Sequence, residues 1–186
     1  QRSALPFHGK GDMAMYKVIV VDDDYPVLET LADMIDWQQA GCQLQGLFEN
    51  GLAALQATQG DLPDIVITDI GMPKMNGIEL VRKLKVLKPD VRTIIVTCHD
   101  EFAFAKQALQ LNVHEYLLKE TLDPDDLNRL LLKISEELDA ERRESEHVDR
   151  LQKLTQRHSM LLRQQFIRQF LQVPLLDPEA WAVEAK

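Results

Sequence analysis

Residues 65–77 read IVITDIGMPKMNG, and this stretch indicates the fold more clearly than any other. Four apolar or β-branched residues lead to an acidic residue, Asp69, and then to a loop that contains Gly and Pro. A short apolar run bounded by turn residues is typical of a strand buried on both faces, as in a parallel sheet. A second run, VIVVDD at 18–23, ends in Asp22 and Asp23 in the same way. The two stretches predict two buried parallel strands, each followed by carboxylates.

Outward from these stretches, short β-branched runs alternate with longer amphipathic segments, which indicates βα units that build a parallel sheet. The predicted strands are 17–21, 43–48, 64–68, 92–97 and 114–118. The predicted helices are 26–39, 52–59, 78–87 and 101–111, with a last helix that starts near Asp125 and is capped by Asp123 or Asp125. The predicted fold class is therefore α/β, a flavodoxin-like doubly wound five-stranded parallel sheet with a long C-terminal helical extension.

Composition excludes several classes of function. The 186-residue chain carries a formal net charge of −9, so we expect it to bind neither DNA nor a membrane surface, because both are polyanionic. Two cysteines, Cys42 and Cys98, are too few for a disulfide framework, and Cys98 is predicted to be a core thiol. The sequence contains neither a signal peptide nor an apolar run of transmembrane length, which favours a cytoplasmic location.

Polar residues follow the predicted strands at their carboxyl ends, where doubly wound sheets bind their ligands. They are Asp22, Asp23, Asp69, Thr97 and Lys119. Clustered carboxylates repel one another unless a cation neutralises them, and hard oxygen ligands suit Mg²⁺. A carboxylate can also act as a nucleophile, while an ammonium and a hydroxyl can hold phosphoryl oxygens. The pattern predicts a Mg²⁺ site at which a phosphoryl group can be held.

Four motifs together resemble the receiver domains of two-component response regulators, over about residues 16–135. They are VVDD at 20–23, TDIGMPKMNG at 68–77, Thr97, and YLLK at 116–119. The resemblance implies that Asp69 is the phosphoacceptor. It also implies that Asp23 and Asp69 would ligate Mg²⁺ directly, Asp22 through water, and Gly71 through its backbone carbonyl.

The resemblance further implies a switch rather than an enzyme that turns over an external substrate. Asp69 would take its phosphoryl group from a sensor histidine kinase, and Lys119 and Thr97 would hold the phosphoryl oxygens. Thr97 and Tyr116 would then move inward and change the surface formed by the fourth helix, fifth strand and fifth helix. We expect a homodimer through this face and through the long helix.

A fainter resemblance concerns the output. The stretch IDW at 35–37 and the long last helix are similar to regulators that end in an AraC-type helix-turn-helix domain. We expect DNA binding and transcription control to come from such a domain, which would lie outside these residues.

One residue departs from the family pattern. Glu120 follows Lys119, where these receivers usually have proline. This departure leaves open a degenerate receiver that acts as a phosphorylation-independent scaffold. Another alternative is a phosphatase of the haloacid dehalogenase type that uses Asp22 and Asp24, although it would leave Asp69 without a role. Asp24 is otherwise predicted to cap the first helix.

The predicted domain bounds are 1–14 for an expression leader, 15–138 for the receiver domain, 139–172 for a helical or coiled-coil linker, and 173–186 for the start of a truncated following region. The apolar spacing of the last helix is interrupted by a charged stretch at 139–146 and resumes at Val148, Leu151 and Leu154. The apolar spacing fits a coiled-coil dimer seam. That seam would also include the polar residues Glu141, Ser145 and His158, so a solvated extension fits equally well.

Overall fold

A computed structural model describes residues 15–98 and 102–171 of the protein. Five parallel strands form one sheet in the order β2-β1-β3-β4-β5. The expected leader at 1–14 and the expected following region at 173–186 lie outside the described residues. The sheet order and the helical connections confirm the predicted flavodoxin-like α/β fold.

The element bounds agree closely with the sequence prediction. The strands are β1 (Tyr16–Val21), β2 (Cys42–Phe48), β3 (Ile65–Thr68), β4 (Arg92–Thr97) and β5 (Glu115–Leu118). The helices are α1 (Tyr25–Met34), α2 (Gly51–Ala57), α3 (Gly77–Leu87), α4 (Phe102–Gln110) and α5 (Pro124–Leu171). Every predicted end lies within two residues of the observed one, except the end of α1.

The core lies on both faces of the three central strands. Ile19, Ile67 and Ile95, one on each of β1, β3 and β4, are fully buried, and helices cover both faces of the sheet. Burial of such side chains is the main favourable contribution to folding, at roughly 1.5–3 kcal/mol for each large aliphatic group. The continuous apolar runs of the sequence are therefore explained by strands with no solvated face.

The predicted end of the first helix, at residue 39, is wrong. Helix α1 ends at Met34 because Ile35 adopts an extended backbone (φ −95°, ψ 123°). Asp36 then starts a separate turn, in which its carboxylate accepts a hydrogen bond from the backbone N–H of Gln39 at 3.0 Å. An Asp side chain that binds nearby backbone N–H groups competes with helix formation, which explains the early end.

The side chain of Asn128, in the first turns of α5, holds this helix end in place. Its Oδ1 accepts a hydrogen bond from the N–H of Asp36 at 2.8 Å, and its Nδ2 donates to the carbonyl of Met34 at 2.7 Å. One amide therefore satisfies a backbone donor and a backbone acceptor that the end of α1 would leave without helical partners. The contact ties α5 to the connection between α1 and β2.

The two cysteines have different environments. Cys42 is buried at the start of β2, where its Sγ lies 3.3 Å from the Ser135 hydroxyl of α5. Burial raises the pKa of the Cys42 thiol. Cys98 is exposed, so its prediction as a core thiol is wrong. The buried part of β4 ends at Thr97, one residue earlier.

Helix α5 begins with a cap and belongs to two compact units. The carboxylate of Asp123 accepts a hydrogen bond from the N–H of Asp125 at 2.8 Å, which confirms Asp123 as a cap.

The boundary between the two compact units falls between residues 137 and 138. In the first unit, the apolar face of α5 is buried in the core; its members are Leu127, Leu131 and Ile134. In the second unit, Val148, Leu151 and Leu154 are about half exposed on the single chain.

No helix within residues 15–98 and 102–171 combines the length and the apolar character that are needed to cross a bilayer.

Replacing Asn128 by Ala is expected to lower the free energy of unfolding by about 1–2 kcal/mol, because Met34 and Asp36 lose their partners. Urea unfolding followed by circular dichroism measures the change. Lys133→Ala is the control, since Lys133 is an exposed residue of the same helix and surface changes are usually within about 0.5 kcal/mol. Equal stabilities for the two variants would contradict the role given to Asn128.

Candidate functional site

The strand register brings three carboxylates to one edge of the sheet. Val21 at the end of β1 pairs with Thr68 at the end of β3, and the N–H of Asp69 donates to the carbonyl of Val21 at 2.8 Å. Asp22 and Asp69, which follow these strands, are therefore neighbours. One carboxylate oxygen from each of Asp22, Asp23 and Asp69 lies within 4.8 Å of the others.

The two oxygens of the Asp69 carboxylate have different surroundings. Oδ2 accepts a hydrogen bond from the N–H of Gly71 at 2.8 Å, which fixes the orientation of the carboxylate. Oδ1 is buried and accepts no hydrogen bond from the described residues. A buried carboxylate oxygen without a partner is unfavourable unless a cation or another positive group lies near it. Asp69 thus keeps one oxygen available to a ligand.

Lys119 supplies the positive charge of the site. Its Nζ lies 2.5 Å from Oδ2 of Asp22 and 3.6 Å from Oδ1 of Asp69. Residues 119–121 form a short 3₁₀ turn directly after β5, and Glu120 is exposed on it. The structure thus places the Lys119 ammonium between the two buried carboxylates, although Glu120 rather than proline follows it.

Burial and charge shift the pKa values of this ion pair. Burial raises the pKa of Asp22, and the opposing effects of Lys119 and of the backbone N–H of Asp24 do not offset it. Burial acts to lower the pKa of Lys119, but contact with Asp22 and the charge of Asp69 outweigh it, so the pKa of Lys119 is raised. Among the residues that the structure describes, three carboxylates face one ammonium at this edge, which leaves negative charge in excess. Oxygen ligands with excess negative charge fit a hard cation such as Mg²⁺.

Thr97 and Tyr116 lie on the two strands beside this edge. Thr97 is buried at the end of β4 and pairs with Leu118, the residue before Lys119. Tyr116 is half-buried and packs against an apolar cluster that includes Ile70, the residue after Asp69. Tyr116 is therefore linked to the Asp69 loop through packing, and the switch role of Thr97 and Tyr116 stays a prediction.

Asp24 is at the N-cap position of α1, but its carboxylate makes no capping hydrogen bond. Its backbone carbonyl accepts from the N–H groups of Val27 and Leu28 instead, at 3.0 and 3.1 Å. The prediction of a side-chain cap is therefore wrong. The N–H of Asp24 donates to Oδ1 of Asp22 at 3.0 Å, so Asp24 supports the site through its backbone.

Two residues whose importance the sequence analysis missed fix the backbone of Asp69. The Thr68 hydroxyl donates to the carbonyl of Asp69 at 2.9 Å. A Cβ atom on Gly77 would lie only 1.9 Å from the same carbonyl, so any side chain there would displace it. Asn76 caps α3 by accepting from the N–H of Glu79 at 2.8 Å. An Asn-Gly pair before a predicted helix was the available signal, because Asn is a preferred cap.

With this geometry established, comparison with known proteins identifies the class. Residues 18–132 match the family described as the response regulator receiver domain, and the chain belongs to this family. Receiver domains are signalling domains of two-component systems and pair with histidine kinases. This confirms the resemblance that the four motifs indicated.

Individual relatives support the same assignment. The uncharacterized transcriptional regulatory protein YesN of Bacillus subtilis (strain 168) is 39% identical over 105 residues, which cover 56% of this chain and 28% of YesN. The transcriptional regulatory protein HptR of Staphylococcus aureus (strain N315) is 35% identical over 105 residues, which cover 56% of this chain and 41% of HptR. The matched region thus spans less than half of either curated relative.

A solved structure shows the same fold. The receiver domain of AraT, a response regulator from Geobacillus stearothermophilus, is 31% identical and superposes with a TM-score of 0.64. The similarity covers 69% of this chain and 98% of the AraT chain.

Replacing Gly77 by Ala is expected to destabilise the protein by about 1–3 kcal/mol, because the new methyl group overlaps the Asp69 carbonyl and forces the backbone to move. Urea unfolding measures the loss. Gly60→Ala is the matched control, since a Cβ at Gly60 meets nothing within 4 Å. A Gly77→Ala protein as stable as the control would show that the Asp69 carbonyl is not tightly held.

Proposed function

We propose that the chain is a phosphoacceptor that takes a phosphoryl group from a sensor histidine kinase onto Asp69, with Mg²⁺ as cofactor. The observation that carries the proposal is Oδ1 of Asp69, which is buried, accepts no hydrogen bond from the described residues and lies 3.6 Å from the Lys119 ammonium. We infer no turnover of an external substrate, because the nucleophile and the final acceptor are the same carboxylate.

The transfer consists of one displacement. Oδ1 of Asp69 attacks the phosphorus of a phosphohistidine, and the bond from phosphorus to the histidine nitrogen breaks with its electron pair on the nitrogen. The product is an acyl phosphate on Asp69 and a free imidazole on the kinase. Positioning and charge neutralisation supply most of the catalysis in such a transfer. The hydrogen bond from Gly71 to Oδ2 orients the nucleophile for this step.

The remaining residues balance the charge of the transferred group. Lys119 provides a point charge and Thr97 a hydroxyl for the phosphoryl oxygens. Asp22, Asp23 and Asp69, together with the backbone carbonyl of Gly71, would hold Mg²⁺, and the bound ion would neutralise further phosphoryl charge. After transfer, inward movement of Thr97 and Tyr116 would alter the surface formed by α4, β5 and α5.

The alternatives receive less support. A scaffold without phosphorylation was suggested by Glu120, but Lys119 contacts Asp22 in spite of it. A dehalogenase-type phosphatase would need Asp24 as a second carboxylate in the site. Within residues 15–98 and 102–171, the carboxylates that come together are those of Asp22, Asp23 and Asp69.

For the intact protein, we infer an output in transcription control. YesN and HptR are named transcriptional regulatory proteins, and the matched region spans 28% and 41% of them. The DNA-binding part would be an AraC-type helix-turn-helix domain outside these residues, following a receiver at 15–138 and a helical linker at 139–172. We also propose that the protein forms a homodimer through the face made by α4, β5 and the start of α5, and through the long remainder of α5. Its proposed location is the cytoplasm.

Incubation with acetyl phosphate and Mg²⁺ is expected to add one phosphoryl group to the wild-type chain, detected as intact mass. Asp69→Asn should gain none, because an amide is not a nucleophile for this step, and a metal-free sample should gain none either. Asp24→Asn is the matched control and should be labelled like the wild type. An adduct on Asp69→Asn would show that another residue is the acceptor.

Replacing Asp23 by Ala is expected to weaken Mg²⁺ binding about tenfold or more, since loss of even a supporting group at a metal site typically costs that much. Isothermal titration calorimetry with Mg²⁺ measures the change, and Asp24→Ala should keep the wild-type affinity. If the wild-type chain bound no Mg²⁺ and formed no adduct, the scaffold alternative would replace the proposal.

A further inference from the structure

Three hydrogen bonds restrain Asp69. Its N–H donates to the carbonyl of Val21 at 2.8 Å, and its carbonyl accepts from the Thr68 hydroxyl at 2.9 Å. The N–H of Gly71 donates to Oδ2 of the carboxylate at 2.8 Å. With the backbone and Oδ2 held in this way, the direction of Oδ1 is also set. Oδ1 is the oxygen that the proposed transfer uses as its nucleophile.

The bond from Thr68 differs from the other two because its donor is a side chain. The bonds to Val21 and from Gly71 use backbone N–H groups as donors, which every residue except proline has. The hydroxyl at position 68 requires a particular side chain. A substitution of Thr68 can therefore remove one restraint on Asp69 and leave the donors of the other two in place.

The carbonyl of Asp69 depends on this hydroxyl for its partner. Asp69 is the first residue after β3, and no backbone N–H in the part of the chain that the structure describes donates to its carbonyl. Thr68 is only 1% exposed. A Cβ atom on Gly77 would lie 1.9 Å from the carbonyl oxygen and 3.0 Å from the hydroxyl oxygen, so the start of α3 packs against both. Because a buried carbonyl without a partner is unfavourable, loss of the hydroxyl favours rotation of this peptide group.

We propose that Thr68 is a positioning residue for phosphoryl transfer onto Asp69, a role that rests on the proposed function. The peptide group that the hydroxyl holds joins Asp69 to Ile70 and leads to Gly71. Its rotation changes the position of the Gly71 N–H relative to the carboxylate, so Oδ1 no longer points in the direction that the transfer requires. A displacement of about 1 Å at a reacting atom can slow a reaction about a hundredfold.

Thr93 provides a matched control, because it is a buried threonine without this bond. It is fully buried on β4, and its hydroxyl has no hydrogen-bond partner among the described residues. Thr93 pairs with Val66, two residues before Thr68, so the two threonines lie on the same face of neighbouring strands. Replacing either threonine by Val keeps the shape of the side chain and removes a buried hydroxyl.

The initial rate of labelling by acetyl phosphate and Mg²⁺, followed as intact mass, tests the role of Thr68. Thr68→Val is expected to be labelled about tenfold more slowly than the wild type, or slower still. Thr68→Ser restores the hydroxyl and should be labelled like the wild type, although it loses a buried methyl group. Thr93→Val should also keep the wild-type rate. Wild-type labelling of Thr68→Val, or equal slowing in either of the other two variants, would overturn the proposal.

Urea unfolding of the same variants separates positioning from stability. If Thr68 served the fold alone, the labelling rate would follow the loss of stability, and the Ser variant would be slowed together with the Val variant. A positioning role predicts instead that the hydroxyl decides the rate, whatever the order of stabilities.

The amide proton of Gly71 reports on the position of the carboxylate without any phosphoryl transfer. A hydrogen bond to a carboxylate moves an amide proton downfield, so the Gly71 signal is expected to move upfield in Thr68→Val and to stay in place in Thr68→Ser and Thr93→Val. A ¹H–¹⁵N spectrum of the full chain in metal-free buffer measures these shifts. A wild-type chain that took up no phosphoryl group would contradict the proposed function. An unchanged Gly71 signal in Thr68→Val would overturn the role of Thr68 in either case.

Discussion

The site depends on the contact between a half-buried lysine and two buried carboxylates. Asp22 is fully buried and Asp69 almost so, and a buried charge is strongly unfavourable unless it is paired. Lys119 provides the pairing, and it comes from the far end of the sheet order, two strands away from β3. The register of β1, β3, β4 and β5 must therefore be correct to within one residue for these charges to meet. The apolar strands are what enforce that register.

Much of this arrangement could be predicted from sequence because it follows from strand ends. Asp22 and Asp69 follow strands that are buried on both faces, and Lys119 follows the edge strand β5. Because the carboxyl ends of parallel strands share one edge of the sheet, the three residues could be assigned to that edge from the sequence. The wrong prediction of the end of α1 has a different origin. The early end of α1 depends on Asp36 and on Asn128, which are 92 residues apart. Local patterns contain no information about such a contact.

Positions whose role depends on backbone atoms, or on the room beside the backbone, were equally hard to predict. Gly77 is close to the Asp69 carbonyl only after the loop between β3 and α3 has folded back, and a glycine in a loop sequence has many possible reasons. Asp24 shows the reverse case, because its side chain looked like a cap while its backbone does the capping. In both cases the deciding atoms belong to the backbone, and a pattern of side chains along the sequence does not describe them.

The ion pair between Lys119 and Asp22 has a thermodynamic consequence. A cation drawn to the Asp22 carboxylate competes with the ammonium for the same oxygens, so its binding loosens the hold of Asp22 on Lys119. Linkage is reciprocal, and an anion that attracts Lys119 away from Asp22 must favour cation binding to the same extent. The two ligands would thus bind with positive cooperativity even if no other part of the protein moved. Lys119, which can pair either with Asp22 or with the anion, is therefore sufficient to couple the binding of the anion to the binding of the cation.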